Sequence, residues 1–237
     1  MYLVLFDIDG TLLQSGGCGR AATRLAIQEV FGTIGLLDKT NFAGKTDWQI
    51  VLESLESTGI SVEQVQTRLQ PYNEAVARHL SQIVDTFPIR ACVGAAQVVN
   101  ALRAHPGILL GLVTGNMPGL VPIKLRAAGF DPDDFKIGAF GSEGWERAML
   151  PPLALKRARL HAGRDFPPER IVIIGDTPGD IACAQSIGAR TMAVATGPFK
   201  VSELRAHHPD HLFESMADTR AVLAAIFHDG HTGSSRS

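Results

Sequence analysis

The sequence contains few cysteines and no long apolar run. Its three cysteines, Cys18, Cys92 and Cys183, are widely separated and form no Cys-x-x-Cys pair. Such a sparse, odd set argues against a disulfide framework and suits a reducing compartment. No apolar run approaches the length of a membrane-spanning helix, and the apolar opening from Tyr2 to Phe6 is too short for a signal-peptide core. We therefore expect a cytoplasmic protein with no membrane partner.

The sequence also lacks an excess of charge of either sign. Lysine and arginine total 22 residues against 24 aspartates and glutamates, which leaves a formal net charge of −2. This balance gives no reason to expect nucleic acid as a partner. Hydrophobic residues make up 45% of the chain, enough apolar material for a real core. A length of 237 residues fits one core domain with a modest insertion.

Short apolar runs that end in polar residues indicate a parallel β-sheet. The three clearest runs are Leu3 to Phe6, Ile108 to Val113 and Ile171 to Ile174. Runs of this kind are typical of strands buried on both faces. Weaker candidates are Phe135 to Phe140, Thr191 to Ala195 and His211 to Phe213. Helical patterns lie between them, at Ala95 to Arg103, Gly119 to Ala128, Pro152 to His161, Asp180 to Ser186 and Met216 to Phe227. The alternation predicts a doubly wound, mostly parallel, Rossmann-like α/β sheet.

Residues 16–86 break this alternation and predict a helical insertion. The predicted helices are Arg20 to Phe31, Asp47 to Ser57 and Ser61 to Asp85. In the last one, apolar residues recur at spacings of three and four, and we expect Pro71 to kink the helix or divide it in two. We therefore predict an α/β core of residues 1–15 and 87–227, a helical cap of residues 16–86 and a disordered tail of residues 228–237.

Acidic and hydroxyl side chains follow the three clearest strands. Strand by strand they are Asp7 and Asp9, then Thr114 with Gly115 and Asn116, then Asp176 and Asp180. Ligands bind at the carboxyl ends of the strands in open α/β sheets, so we expect these residues at one rim. Four carboxylates in one place repel each other unless a cation lies among them. Oxygen donors without histidine or cysteine favour Mg²⁺.

Three motifs in this order resemble the haloacid dehalogenase-like hydrolase superfamily and, within it, its phosphoglycolate phosphatase-like branch. The first motif is Phe6 to Leu12 (FDIDGTL), the second is Val113 to Asn116 (VTGN) and the fourth is Ile174 to Ile181 (IGDTPGDI). The helical insertion is similar to the small helical cap of that family, including Gly44 to Asp47 (GKTD) ahead of a helix. The resemblance extends from Leu3 to about Phe227.

The resemblance implies a Mg²⁺-dependent phosphatase that hydrolyses a small phosphorylated metabolite. Asp7 would be the nucleophile and would carry the phosphoryl group as an aspartyl-phosphate. Asp9 would protonate the leaving alcohol and then activate water. The metal ligands would be Asp7, Asp176 and the backbone carbonyl of Asp9, and Asp180 would support the water shell of the metal.

By the same resemblance, the second motif would bind the phosphoryl group. The hydroxyl of Thr114 and the backbone amides of Gly115 and Asn116 would hold its oxygens. Lys45, in the cap, is a candidate for binding the substrate or an ordinary surface lysine. Other residues that could read the leaving group are Arg20, Trp48 and Tyr72.

The third motif departs from the family pattern, in which a lysine faces the nucleophile and the phosphate. In the phosphoglycolate phosphatase-like branch this lysine precedes a proline, and a second proline follows five residues after the lysine. Arg147 stands five residues before Pro152 and is its counterpart by that alignment. Lys156, one turn into the following helix, is the alternative. An arginine keeps the positive charge and adds a bidentate fork.

The resemblance leaves several other functions open. A sugar-phosphate mutase would use the same Asp7 and Asp9 chemistry. A dehalogenase lacks the second aspartate of the first motif, so Asp9 argues against it. A phosphonatase needs a Schiff-base lysine in the cap, for which Lys45 is a poor candidate. An inactive fold that serves as a binding or regulatory module is favoured only by the missing third-motif lysine. Monomer and homodimer are both open.

Overall fold

A computed structural model describes residues 1–228, and the predicted tail therefore lies outside the described residues except for His228. The strands are, in chain order, β1 (Tyr2–Phe6), β2 (Leu13–Gln14), β3 (Arg90–Ala91), β4 (Ile108–Val113), β5 (Ile137–Ala139), β6 (Ile171–Gly175), β7 (Arg190–Val194) and β8 (His211–Phe213). The helices are α1 (Cys18–Phe31), α2 (Asp47–Leu55), α3 (Val62–Thr67), α4 (Leu69–Ile83), α5 (Ala95–Arg103), α6 (Val121–Ala127), α7 (Leu150–Ala162), α8 (Pro178–Gln185), α9 (Val201–Arg205) and α10 (Thr219–Phe227).

Six of these strands form one sheet in the order β5-β4-β1-β6-β7-β8. Every neighbouring pair is parallel, and Phe6 at the end of β1 lies opposite Leu112 of β4 and Ile174 of β6. The predicted doubly wound α/β fold is confirmed. Because β1 lies between β4 and β6, the carboxyl ends of the three clearest strands are adjacent, and the motifs that follow them share one rim.

Some predicted elements are shorter in the structure than in the sequence pattern. The strand predicted over Phe135 to Phe140 is only β5, and a 3₁₀ turn of residues 132–134 precedes it. The helix predicted from Met216 begins at Thr219, because the Asp218 side chain accepts a hydrogen bond from the amide of Ala221 and caps it there.

The helical insertion contains α1 to α4. The helix predicted over Ser61 to Asp85 is divided in two, and the division lies at Arg68 rather than at Pro71. Pro71 lies in the first turn of α4, where its missing N–H leaves no intrahelical bond unmade. Ser61 begins α3 with a capping box, in which its side chain and that of Gln64 satisfy each other's backbone amides.

The chain enters and leaves the helical insertion through a short antiparallel pair, β2 and β3. Leu13 lies opposite Ala91, and Gln14 lies opposite Arg90. Two-residue strands produce no periodicity, so the sequence did not predict this pair. The division between core and cap at residues 16 and 86 stays a prediction, and so do its hinges, which we expect next to this pair at Gly16-Gly17 and around Phe87-Pro88. None of the described helices has the length and apolar character needed to cross a membrane.

The insertion has its own apolar core, which also includes two residues from the loop after β4. Tyr72, Leu80 and Ile27 are fully buried in it, and Met117 and Leu120 pack into the same cluster. Burial of these side chains favours contact between the insertion and the sheet end by roughly 25 cal/mol per Å² of apolar surface. The cap is thereby held over the rim that carries the motifs.

Candidate active site

A cavity of about 540 Å³ lies between the rim of the sheet and the helical insertion. The structure brings most of the predicted site residues into its lining, namely Asp7, Asp9, Lys45, Thr114, Gly115, Asn116, Arg147 and Asp176. Asp180 lies outside the lining and contacts it through Arg147. Lys156 is exposed on α7 and does not line the cavity. The geometry therefore favours Arg147 over Lys156 as the third-motif cation.

The loop after β1 turns sharply against Asp176. Gly10 has a φ of +84°, and a Cβ at this position would overlap the Asp176 carboxylate, so only glycine fits. The hydroxyl of Thr11 donates a hydrogen bond of 2.8 Å to Asp176 Oδ1. The close approach at Gly10 and the hydrogen bond from Thr11 thus hold the first motif against the fourth.

Arg147 contacts two of the three buried carboxylates at the rim. Its Nη2 lies 2.8 Å from Asp7 Oδ1 and 2.5 Å from Asp180 Oδ1. Burial raises the pKa of Asp7 to about 6, although the charge of Arg147 acts in the opposite direction. Burial, together with the charges of Asp180 and Asp7, raises the pKa of Asp176 well above its usual range. One arginine therefore leaves the cluster short of positive charge.

The same cluster fits a divalent metal ion. One oxygen from each of Asp7, Asp176 and Asp180 lies within 4.8 Å of the others. Asp176 Oδ2 is buried and has no hydrogen-bond partner among the described residues, so one acceptor remains for a ligand. The donors are oxygens, which Mg²⁺ prefers. A bound cation would supply the charge that Arg147 alone does not.

Lys124 is a site residue that the sequence analysis missed. Its Nζ lies 2.7 Å from Asp9 Oδ2 and 2.6 Å from Asn116 Oδ1, and Asn116 Nδ2 donates to the same oxygen of Asp9 at 2.8 Å. Partial burial acts to raise the pKa of Asp9, but the charge of Lys124 and its hydrogen bond lower it overall. Each aspartate of the first motif therefore has its own cationic partner: Arg147 is paired with Asp7, and Lys124 is paired with Asp9.

A signal for Lys124 was present in the sequence. The helix predicted over Gly119 to Ala128 has an apolar face that includes Leu120, Val121 and Leu125, all buried in the structure. Lys124 lies on this face and is only 3% exposed. Lysine is rarely buried without a partner, so a lysine at an apolar-face position close to the second motif indicates a buried ion pair.

The start of α2 lies directly on the second motif. The amide of Asp47 donates to the carbonyl of Gly115 at 2.7 Å, and the Asp47 carboxylate accepts from the amide of Met117 at 2.6 Å. A Cβ on Gly115 would overlap the Lys45 carbonyl. Burial raises the pKa of Asp47 to about 6. This close backbone contact closes one side of the cavity.

The candidate specificity residues in the insertion separate into two groups. Arg20 and Lys45 line the cavity. Trp48 does not, because it packs edge to face against Trp145 with ring centroids 5.6 Å apart. Tyr72 is fully buried, and its hydroxyl lies 3.3 Å from that of Thr23. The expectation that Trp48 or Tyr72 faces the substrate is therefore wrong, since both belong to the apolar core of the insertion.

Comparison with known proteins agrees with this arrangement. The family model of the haloacid dehalogenase-like hydrolases matches residues 4–185. Pyrophosphatase PpaX of Bacillus mycoides is 24% identical over 225 residues, which cover 94% of this chain and 97% of the relative. A hydrolase of Pseudomonas syringae superposes with a TM-score of 0.69 at 21% identity, covering 95% of this chain and 99% of the other. A predicted phosphoglycolate phosphatase of Haemophilus somnus superposes with a TM-score of 0.64 at 20% identity, covering 94% and 98%. Because the matched residues span most of the chain and include all three motifs, this chain belongs to the haloacid dehalogenase-like hydrolase family and is an enzyme.

Proposed function

We propose that this enzyme is a Mg²⁺-dependent phosphatase that hydrolyses a small phosphorylated metabolite through an aspartyl-phosphate on Asp7. The observation that carries the proposal is the buried pair of Asp7 and Arg147, 2.8 Å apart in the lining of the cavity. A carboxylate held next to a fixed cation is oriented and kept ionised for attack on phosphorus. The name of the relative PpaX, a pyrophosphatase, supports phosphoryl chemistry in this family.

In the first step, an oxygen of Asp7 forms a bond to phosphorus while the bond to the leaving oxygen breaks. Thr114 is fully buried, and its Oγ1 accepts a hydrogen bond of 2.8 Å from Asn116 Nδ2. The hydroxyl proton of Thr114 is therefore free to donate to a phosphoryl oxygen. Arg147 offsets the charge that develops between Asp7 and the phosphoryl group.

Asp9 is the proton carrier in this proposal. Its side chain is 35% exposed, and the residue lines the cavity, so it can reach the leaving oxygen. The negative charge of a bound phosphoryl group would favour the protonated form of Asp9, against the effect of Lys124. Asp9 would then give a proton to the leaving alkoxide and afterwards accept one from the water that hydrolyses the aspartyl-phosphate. Lys124 and Asn116 fix one oxygen of Asp9, which leaves its other oxygen, Oδ1, without a partner among the described residues.

The metal would be held by Asp7, Asp176 and the backbone carbonyl of Asp9, and Asp180 would support the water shell of the metal. When bound, Mg²⁺ would offset the negative charge of the carboxylates and of the phosphoryl oxygens. Asp180 is itself fixed, because the hydroxyl of Thr177 donates to its Oδ2 at 2.7 Å while Arg147 holds its Oδ1. No nucleic acid or membrane partner is needed for this chemistry, and monomer and homodimer are both compatible with it.

The other functions considered are less well supported by the geometry. Asp9 lies beside Asp7 in the cavity, which disfavours a dehalogenase. Lys45, the lysine that a phosphonatase would need, is ion-paired with Glu53. The binding-module hypothesis depended on the missing third-motif lysine, and Arg147 occupies the place next to Asp7. A mutase differs only in the acceptor of the phosphoryl group, so activity must separate it from a phosphatase.

The proposed function predicts metal-dependent release of inorganic phosphate. The purified enzyme is assayed on a panel of small phosphorylated metabolites with Mg²⁺ and again with EDTA. We expect turnover with Mg²⁺ that falls to background with EDTA and returns when Mg²⁺ is added in excess. Transfer of phosphoryl groups between sugar positions without phosphate release would indicate a mutase. A folded, Mg²⁺-binding protein with no turnover on the panel would contradict the proposal.

The arrangement around Asp9 predicts a large effect of Lys124 on turnover. In Lys124→Met, Asp9 loses one of the two donors that fix its Oδ2, and we expect kcat to fall roughly 10- to 100-fold from misplacement of Asp9. KM should change less, because Lys124 is assigned to Asp9 rather than to the substrate. Steady-state kinetics measure both values.

Two variants of the same helix test whether the effect of Lys124 is specific. Lys124→Arg keeps the charge and should recover part of kcat. Arg126→Met changes an exposed cation two residues further along α6 and should leave kcat within about twofold, as for other surface changes. A kcat for Lys124→Met as high as for Arg126→Met would contradict the positioning role.

A further inference from the structure

Four cations of the described part of the chain line the cavity, and three of them have a carboxylate partner. Lys45 pairs with Glu53, Lys124 pairs with Asp9, and Arg147 pairs with both Asp7 and Asp180. The fourth cation is Arg20, in the first turn of α1, and among the described residues its guanidinium donates only to backbone carbonyls. Carbonyl oxygens accept hydrogen bonds but carry no net charge, so no described carboxylate offsets the positive charge of Arg20.

Arg20 is held in place on the cap side of the cavity. Its Nη1 donates to the carbonyl of Leu37 at 3.0 Å, and its Nη2 donates to the carbonyl of Thr40 at 2.8 Å. Its Cζ lies 3.9 Å from the centre of the Phe42 ring, and both Phe42 and Arg20 line the cavity. A guanidinium has five N–H donors, so three remain after these two bonds. Because the side chain is already fixed, little conformational entropy is lost when it binds a ligand.

We propose that Arg20 forms a second anion-binding subsite, which binds a negatively charged group on the leaving-group part of the substrate. The inference rests on the proposed phosphatase function, which places the phosphoryl group at Asp7 and Thr114. The rest of the substrate then extends into the part of the cavity formed by the helical insertion. The substrate class is a phosphomonoester with a second anionic group, either a carboxylate or a second phosphoryl group. A planar guanidinium binds both groups through paired N–H donors.

The acidic character of the rest of the cavity strengthens the need for such a cation. Asp9 follows β1, Asp47 begins α2, and both residues line the cavity. Lys124 lies 2.7 Å from Asp9 and is already committed to it. A second anionic group on the substrate would be repelled by these carboxylates unless a separate cation received it. Among the described lining residues, Arg20 is the cation without an acidic partner.

Three substrates with the same three-carbon frame test the subsite. 3-Phosphoglycerate carries a carboxylate where glycerol 3-phosphate carries a neutral hydroxymethyl group, and glycerol 1,3-bisphosphate carries a second phosphoryl group. We expect the wild-type enzyme to prefer one or both anionic compounds in kcat/KM. In Arg20→Gln, which keeps amide donors for the carbonyls but removes the charge, that preference should fall about 10- to 100-fold, the worth of a charge-assisted hydrogen bond. The two anionic compounds together show which anion the subsite takes.

Arg24→Gln is the matched control, because Arg24 lies one turn further along α1, is ion-paired with Asp38 and does not line the cavity. Its preference among the three compounds should equal that of the wild type. Arg20→Lys, which keeps the charge, should retain part of the preference even if packing changes. Equal loss on all three compounds in Arg20→Gln, or no anionic preference in the wild type, would overturn the subsite.

Binding to an Asp7→Asn background separates this inference from the proposed function. Titration calorimetry with 3-phosphoglycerate and glycerol 3-phosphate measures the preference without turnover. If no compound is hydrolysed but an anionic preference is present and disappears with Arg20→Gln, the phosphatase proposal fails and the subsite stands. If turnover is present but this binding preference is absent, the subsite fails and the phosphatase proposal stands.

Discussion

Replacement of Asp7 by asparagine is expected to reduce phosphate release by roughly 10⁴-fold or more, as expected when the nucleophile of a covalent mechanism is removed. An amide oxygen does not form the aspartyl-phosphate, and Mg²⁺ would also lose one ligand. The protein should stay folded, because Arg147 keeps its ion pair with Asp180 at 2.5 Å. Phosphate release by Asp7→Asn and the wild type is compared on the best substrate of the panel.

Two further measurements make the Asp7 experiment decisive. Asp133→Asn changes an exposed carboxylate far along the chain and should retain full activity. Acid-quenched wild-type enzyme, analysed by mass spectrometry during turnover, should carry one phosphoryl group on the peptide that contains Asp7, and the Asp7→Asn protein should carry none. Substantial phosphate release by Asp7→Asn, or a phosphoryl group on another peptide, would overturn the nucleophile assignment.

Replacement of Arg147 by alanine is expected to lower both activity and stability. The change leaves Asp7, Asp176 and Asp180 buried together with no cation, and breaking a buried ion pair in this way lowers the free energy of unfolding by roughly 3 to 5 kcal/mol. Loss of a fixed donor next to the reacting phosphoryl group should reduce kcat about 10²- to 10³-fold. Urea denaturation without metal measures the first effect, and steady-state kinetics measure the second.

Two matched variants show whether the effect of Arg147→Ala comes from the charge of Arg147 and whether it is specific to this residue. Arg147→Lys keeps the charge but removes the planar guanidinium, whose Nη2 contacts both Asp7 and Asp180, so its activity and stability should lie between those of the alanine variant and the wild type. Lys156→Ala removes an exposed lysine and should change the free energy of unfolding by no more than about 0.5 kcal/mol. Added Mg²⁺ should restore part of the stability of Arg147→Ala, because a divalent cation offsets the same carboxylates. If only Lys156→Ala loses activity, the assignment of the third-motif cation is wrong.

The parts of the fold with strong local signals were predicted well. The apolar runs before Asp7, Thr114 and Asp176 correspond to β1, β4 and β6, which are buried on both faces and adjacent in the sheet. Burial on both faces requires continuous apolar sequence, so these strands are visible without tertiary information. The ends of weaker elements were less accurate, because a single side-chain cap or a 3₁₀ turn decides them.

The candidate site was only partly predictable. The residues of the three motifs follow strand ends, and parallel topology alone brings strand ends together. Lys124 lies in the middle of a helix, and its partners Asp9 and Asn116 belong to two different motifs. The spacing of residues in the sequence does not show which loop a helix face will contact in the folded protein. The sequence likewise did not show that Lys45 is ion-paired with Glu53. This pairing is what distinguishes Lys45 from Arg20 as a candidate subsite.

The sequence by itself determined the class of fold, the order of the motifs and the oxygen-rich chemistry at the rim, because apolar runs and acidic strand ends are local properties of the chain. The tertiary structure alone decided how the charges are paired. It placed Arg147 rather than Lys156 against Asp7, assigned Lys124 to Asp9 and gave Arg20 no acidic partner within residues 1–228. Ion pairs depend on distances of a few ångströms between residues remote in sequence, and the strength of each pair falls off with distance and exposure to water. Packing of the helical insertion against the sheet sets those distances.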